Sequence, residues 1–444
     1  MSRKKECDSI TRSLPTFPDK LPDGGSHPDI ITEKYTIDVI TPLFGGGYEA
    51  GKVDPDMPIR VSSIRGHLRF WWRATRGAKY DDVKDLRQRE GEIWGSMENP
   101  SPVIVEVEIT SRGKTYPCAY LPDGSSTPRF EDKHPPYALF PFQGNPRKNI
   151  PIAECISGIS FTLKISCPEK FFNDIEAALW AWINFGGIGA RTRRGCGALY
   201  CKDLSPPDPA SVDTWYQKWV QNFEIDCFSP RKWPTLSKKV LIKDGNGANA
   251  MQCWSDVIDL MKTFRQGSGV GRDPGGNPNR PKRSRWPEPE TIRTVTHRRL
   301  PRHARIQTIP NNAFPRAELG LPIVFHFKDG ADPTDTELYP VIDGRDKTRM
   351  ASPLILRSLQ CVNGDLLQMI LQLNTPRVQE VVLKKAPRTP HFTSIRSSHL
   401  ARYPRSPMGP ANPGGTNRSD DGSALDAFIA FAQERQNNFR EVKP

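Results

Sequence analysis

Residues 182 to 200 read Trp-Ile-Asn-Phe-Gly-Gly-Ile-Gly-Ala-Arg-Thr-Arg-Arg-Gly-Cys-Gly-Ala-Leu-Tyr, and no acid occurs between 177 and 202. Gly186, Gly187, Gly189 and Gly195 let the backbone approach a ligand closely, and N–H groups exposed in such turns form concavities that accept anions. Arg191, Arg193 and Arg194 add guanidinium groups, whose planar forks suit phosphates or carboxylates. The chemistry on offer is the holding of a polyanion. It is not that of a nucleotide loop, because Gly-Lys-Ser/Thr is missing and Thr192 stands where a dinucleotide fingerprint needs its third glycine. The loop also follows a helix, so the nearby dipole end is negative and the arginines must outweigh it. A glycine-capped helix followed by a solvated loop would account for the same residues without any ligand.

Two other stretches are rich in arginine. In Arg60-Val-Ser-Ser-Ile-Arg-Gly-His-Leu-Arg-Phe-Trp-Trp-Arg-Ala-Thr-Arg76, Ile64, Leu68, Trp71, Trp72 and Thr75 fall at helical spacing. Arg65, Arg69, Arg73 and Arg76 trail that stripe by one residue, about 100° around a helix. The apolar stripe predicts burial against a sheet, and the arginines predict an anion beside it, RNA or an acidic neighbour. Ser62 or Ser63 is placed to cap this helix. From Arg280 to Arg305 there are nine Lys or Arg against two Glu, with Arg283, Arg285 and Arg293 around Trp286. An aromatic among basic residues suits a stacked base, and equally suits a core tryptophan under a basic loop.

Acid–base and metal chemistry find fewer candidates. His67 lies within the arginine helix, where its charged form is disfavoured, and it suits packing or RNA contact better than proton transfer. His297 and His303 make a poor metal pair at that spacing, and Asp54 and Asp56 sit in a proline-rich loop that solvates them. Spacing picks out no Ser-His-Asp or Cys-His arrangement. Binding without catalysis, metal or cofactor is the expectation.

The elements around these residues follow from periodicity. Glu33 to Thr41 and Val103 to Ile109 alternate as strands, as does Cys155 to Ser166. Glu90 to Ser96 reads as a short helical turn. Phe171, Phe172, Ile175, Ala178, Leu179, Trp182 and Ile183 predict an amphipathic helix into the glycine loop, and a strand follows Gly197. The order is β-α-β-β-α-β, an α+β arrangement that RNA-recognition modules use. Residues 111–154, rich in Pro, Gly and Ser, read as a long insertion. Beyond a linker at 205–209, helices are expected over Trp215–Phe228 and Met251–Phe264. Strands are expected over Lys238–Lys243, Leu321–Phe327, Pro353–Leu359 and Leu366–Leu373. A final helix spans Ala424–Arg440, after a stretch from Lys384 to Arg405 whose composition predicts disorder.

Thr41-Pro-Leu-Phe, the Val61–Arg73 stretch, Glu92-Ile-Trp-Gly-Ser96 and Phe185–Gly195 resemble the RAMP superfamily of CRISPR effector proteins. Arg283–Arg293, Phe314–His326 and Arg349–Leu354 extend the resemblance toward the first-subunit family of type III-B, or Cmr, complexes. The resemblance implies two tandem ferredoxin-like domains with long loop insertions. It also implies a non-catalytic subunit that contacts guide RNA or target RNA near the guide 3′ end, among other Cmr subunits. By that analogy Gly186 to Gly197 touches RNA, with Arg65, Arg69 and Arg73 beside it; Arg60, Arg283, Arg285 and Arg293 are further candidates for RNA contact. The alternative is a RAMP-type endoribonuclease that processes guide RNA.

Length and charge agree with this reading. The 444 residues suggest two domains or more, and 63 basic against 50 acidic residues give a net charge of +13. The division expected is a flexible tail over 1–30, an N-terminal domain over 31–204, a C-terminal domain over 205–383, and a basic segment with a helix over 384–444. Nine scattered cysteines suit buried free thiols, not a disulfide framework. No apolar run is long enough to span a membrane, so a cytoplasmic protein is expected.

Overall fold

The computed structural model describes residues 29–131, 133–275, 282–301, 313–327, 330–393 and 422–443. Most of the expected N-terminal tail, residues 394–405 of the basic stretch and His303 lie outside them.

The first unit contains β1 (Ile30–Val39), β2 (Leu43–Phe44), α1 (Val61–Ala74), α2 (Val83–Trp94) and β3 (Ile104–Pro117). It continues through β4 (Ala119–Tyr120), β5 (Arg129–Phe130), α3 (Pro136–Leu139), β6 (Glu154–Pro168), α4 (Phe172–Phe185) and β7 (Leu199–Tyr200). Tyr35, Ile37 and Val39 of β1 and Phe161, Leu163 and Ile165 of β6 are buried on one face, as strict alternation requires. β1 pairs with β6 on one edge and β7 on the other, while β3 runs along the far edge of β6. Among the four strands β1, β3, β6 and β7, the spatial order is fourth, first, third, second. β3 continues to Pro117, paired with β6 through a register shift at Ile109 and Ser111. The insertion therefore starts later than composition suggested, and carries β4, β5 and α3.

On α1, Ile64, Leu68, Trp71, Trp72 and Thr75 are all buried, as the stripe predicts. The expected serine cap does not form; Arg60 occupies the N-cap and makes no side-chain cap bond. The short turn expected at Glu90 is the end of a 12-residue helix, α2, capped by Asp82 through Lys84 N–H. α4 departs from amphipathicity, because every residue from Ala177 to Phe185 is buried. Such a helix must be covered on all sides, and the second unit supplies the cover.

That unit begins with α5 (Val212–Asn222), β8 (Val240–Asp244), α6 (Ala250–Gln266) and α7 (Glu288–Thr296). Then come β9 (Ile323–Phe325), β10 (Thr336–Ile342), β11 (Arg345–Asp346), β12 (Leu354–Gln360) and β13 (Leu366–Gln372). It ends with β14 (Glu380–Lys384), β15 (His391–Thr393), α8 (Ala424–Gln433) and β16 (Arg440–Glu441). One sheet has the order β12-β13-β8-β16, which is again fourth, first, third, second when read from β16. The C-terminal helix and last strand thus complete this sheet instead of lying outside a domain that ends at 383. The segment Leu321–Phe327 joins a different sheet, in which β9, β10 and β11 from one insertion pair with β14 and β15 from another.

Alternation along β12 and β8 decides how the units meet. Leu354 and Leu356 share a core with Trp254, Val257 and Ile258 of α6, along with Leu241. Ile355 and Leu359, with Val240 and Ile242, share a core with α4 and α5. Arg357 lies on this second face and is completely buried. Its Nη1 donates to the carbonyls of Ile183 (2.8 Å) and Gly186 (2.7 Å), and its Nη2 to Leu199 (2.6 Å). Its Nε donates to Ser358 O at 2.8 Å.

Two predictions follow from this packing. Arg357→Ala leaves several buried carbonyls without donors, each costing about 1–3 kcal/mol, so a loss of at least about 3 kcal/mol is expected in urea unfolding. A change under about 1 kcal/mol would show that the units do not depend on this contact. Trp71→Ala should cost about 3–5 kcal/mol for an enclosed aromatic, whereas Arg69→Ala, with its side chain 41% exposed, should cost under about 1 kcal/mol. Thermal melts that ranked the two in reverse order would refute the assignment of faces on α1.

Candidate nucleic-acid interface at the glycine loop

The loop from Gly186 to Gly197 is fixed by the segment Thr41-Pro-Leu-Phe44. The Thr41 hydroxyl donates to Gly195 O at 2.6 Å and accepts from Ala198 N–H at 2.8 Å. Gly197 N–H donates to Pro42 O (2.9 Å) and Ala190 N–H to Phe44 O (2.7 Å). Gly195 and Gly197 adopt φ of +79° and +61°, where a side chain is strained. A Cβ at Gly195 would lie 2.5 Å from Trp254 Cδ1, and one at Gly197 would lie 1.9 Å from Ile188 O. The glycines here therefore serve close packing of loop on loop and of loop on α6. Gly187 and Gly189 are also closely packed, a Cβ there lying 2.8 Å from Gly197 O and 2.6 Å from Phe44 O, but their N–H groups find no acceptor among the described residues; Gly187 is buried and Gly189 exposed.

The three loop arginines divide. Arg194 is half-buried: its Nη1 donates to Leu354 O at 3.1 Å, while its own carbonyl accepts from Trp254 Nε1–H. Burial pushes its pKa down to about 10. Arg193 donates to Ser352 O and lies 5.7 Å from the Phe70 ring centre. Both reach across to the start of β12. Arg191, in the left-handed region at φ +59°, lies over the exposed ring of Phe140 at 5.7 Å. Its Nε is buried without a partner, and its side chain makes no ion pair or hydrogen bond with a described residue.

The other sequence candidates are placed as follows. Arg60 pairs with Asp54 at 2.9 Å. Asp54 also accepts from Met57 N–H, and these contacts hold its carboxyl below the ordinary range. Arg65 donates to the carbonyls of Val103 and Trp94. Arg69 and Arg73 both contact Glu90 Oε1, at 2.8 and 2.6 Å. The anion expected beside α1 is thus a buried glutamate of α2. Arg76 donates to Phe223 O and lies near Asp174, which also accepts from Trp72 Nε1–H and Arg89.

Arg283, Arg293 and Arg299 converge on Glu290, and Arg293 also forms a two-point pair with Asp332. Burial alone would raise the Glu290 carboxyl, but the arginines bring it below its usual value. Arg285 pairs with Asp273 at 3.1 Å. Trp286, 1% exposed, packs edge-on against Phe264 and donates to Arg265 O. It is a core residue and offers no face to a base. Of the ten arginines singled out as binding candidates, Arg191 alone lacks an ion pair or hydrogen bond among the described residues.

His67 stacks on Trp182 with ring centres 6.0 Å apart, and burial lowers its pKa, so it is neutral near pH 7. It opens with Phe70, Trp71, Gly187, Thr192 and Arg193 onto a pocket of about 160 Å³. No described lining residue is a carboxylate or a second histidine. The eight described cysteines are buried and unpaired. No group of three or more metal-binding side chains exists among the described residues, and no described helix is long and apolar enough to cross a membrane. Sequence reasoning missed Arg357, although an arginine inside Leu-Ile-Leu-Arg-Ser-Leu is a visible interruption. It also missed Phe140, in the insertion, where the signal was a cluster of aromatics among prolines.

Comparison with known proteins gives this arrangement a family. The family model of the RAMP superfamily matches residues 36–200, from β1 to β7. The Cmr subunit Cmr1-2 of Pyrococcus furiosus is 32% identical over 177 residues, which is 37% of this chain and 92% of that protein. Subunit Cmr1-1 of the same organism is 27% identical over 143 residues, 32% of this chain and 40% of that protein. The crystal structure of apo Cmr1 from P. furiosus aligns with a TM-score of 0.46 and 19% identity, over 78% of this chain and 89% of the other. With the glycine loop, the Arg-Phe-Trp-Trp-Arg helix and the strands that carry them inside the matched region, the chain belongs to the RAMP superfamily, as a type III-B Cmr subunit resembling Cmr1.

Proposed function

We propose that the chain is a non-catalytic, RNA-binding subunit of a type III-B CRISPR effector complex, acting in the cytoplasm in antiviral defence. It would contact guide or target RNA near the guide 3′ end and help hold other Cmr subunits together. In this reading both sheets with the fourth-first-third-second order are ferredoxin-like domains in tandem; the repeated order supports it. The observation that carries RNA contact is the outward arc of the glycine loop. There, Arg191 has no acidic partner among the described residues, two residues beyond exposed Gly189, whose N–H finds no acceptor among the described residues. Guanidinium and backbone N–H groups hold phosphates without reading sequence, which suits a subunit of a complex guided by base pairing.

The runner-up, a RAMP-type endoribonuclease that processes guide RNA, has one observation in its favour: neutral His67 faces the pocket beside the loop. Cleavage by acid–base chemistry needs a second proton-transfer group in reach, and the described lining supplies none.

The pure protein should bind single-stranded RNA with an affinity that falls steeply with salt. Arg191→Ala should lower the slope of log K against log salt by roughly 0.7, the share of one phosphate, in a filter-binding titration. An unchanged slope in the folded variant would remove Arg191 from the interface. Labelled guide and target RNAs incubated with the protein and magnesium or manganese should stay intact; cleavage that disappears in His67→Ala would make the ribonuclease reading correct.

A further inference from the structure

The insertion that follows β3 is held against the glycine loop by a defined set of contacts. Phe142 stacks on Phe44, with ring centres 4.7 Å apart and planes within 5°. Phe44 O in turn accepts from Ala190 N–H in the loop. Phe142 O accepts from Ala153 N–H, and Gln143 donates its side-chain amide to Pro128 O, fixing the turn from both sides. The turn displays two aromatic rings at positions i and i+3, which share a helical face. Phe140 is 64% exposed, a large apolar side chain left in water beside a loop that is otherwise tightly packed. Tyr137 is half-buried next to it.

Each ring is covered by an arginine from a different part of the fold. Arg191 of the glycine loop lies 5.7 Å from the Phe140 centroid, and Arg265 at the end of α6 lies 5.9 Å from that of Tyr137. Neither side chain has a carboxylate or hydrogen-bond partner among the described residues. Elsewhere the arginines of the glycine loop, α1 and the Glu290 cluster are satisfied internally, so these two stand out by chemistry as well as by place. Aromatic faces next to cations without acidic partners form the composition of a single-strand binding platform: bases stack on the rings, and guanidinium groups take phosphates or stack in turn.

We propose that the turn around Pro136–Phe142 is a base-stacking site for single-stranded RNA, with Phe140 as the platform and Arg191 and Arg265 flanking it. It extends the loop's phosphate-binding arc into the insertion. This inference rests on the RNA-binding reading above and adds the residue that would hold a base.

The test is equilibrium binding of a fluorescent oligouridylate to the full chain, as wild type, Phe140→Ala and Phe140→Trp. Phe140 is exposed, so both variants should melt as wild type does. Phe140→Ala should bind about tenfold more weakly, the share of one stacked base, with the salt slope unchanged because no charge is lost. Phe140→Trp should bind at least as tightly as wild type. Failure of the wild-type chain to bind would overturn the RNA-binding reading itself. Wild-type binding that Phe140→Ala leaves intact would overturn only the stacking site, and would assign the exposed ring to contact with a neighbouring protein.

Discussion

A single guanidinium without a carboxylate partner among the described residues couples the two halves of this chain. Taking a charge out of water costs several kcal/mol, and burial depresses the Arg357 pKa to about 9. What offsets that cost is a set of four carbonyls, two of them at the C-terminal end of α4, where the helix dipole is negative. The same dipole that opposes phosphate binding at the glycine loop is therefore neutralised from the other side, by the second unit. Arg193 and Arg194 repeat the device in the opposite direction, reaching from the loop to the carbonyls of Ser352 and Leu354. The glycine loop is a joint first, and only its outer arc is left to bind anything.

That economy changes how the net positive charge should be read. An excess of 13 basic groups suggests a broad cationic surface, yet many of the arginines nearest the RAMP motifs are held by Glu90, Asp174, Glu290, Asp332 or backbone carbonyls. Arginine serves here because a planar fork satisfies several acceptors at once. Arg357 does this with carbonyls, and Arg293 with two carboxylates. A lysine offers a single point of charge at such sites. The density of arginine thus reports internal architecture at least as much as it reports a ligand.

The elements were largely legible in the sequence, and the partners were not. The stripe Ile64, Leu68, Trp71, Trp72 sets the buried face of α1 because helical spacing is a local property. The role of Arg69 and Arg73 depends on Glu90, which comes from another helix and which periodicity cannot bring near. Trp286 among basic residues looked the same whether stacked on a base or buried, since composition does not encode which side of a chain faces water. The second unit was obscured for a related reason. Two insertions separate its strands, and those insertions pair with each other to make β9–β11 and β14–β15 into a sheet of their own. The fully buried character of α4 was concealed as well: one face packs on its own sheet, and the other waits for a domain encoded later.

The position of β16 has a consequence for synthesis. β8 pairs with β13 on one side and with Arg440–Glu441 on the other, so its second edge stays unpaired while roughly 200 further residues are made. At about 5–20 residues per second, that is about 10–40 s of exposed strand edge. An open edge recruits other strands. The first unit shows the same order, since β1 (Ile30–Val39) waits for β6 on one edge and for Leu199–Tyr200 on the other. Trp254, Ser352, Leu354 and Arg357, which hold the glycine loop and the end of α4, are all made before Arg440, so the joint between the units can close while β8 still waits for its last partner.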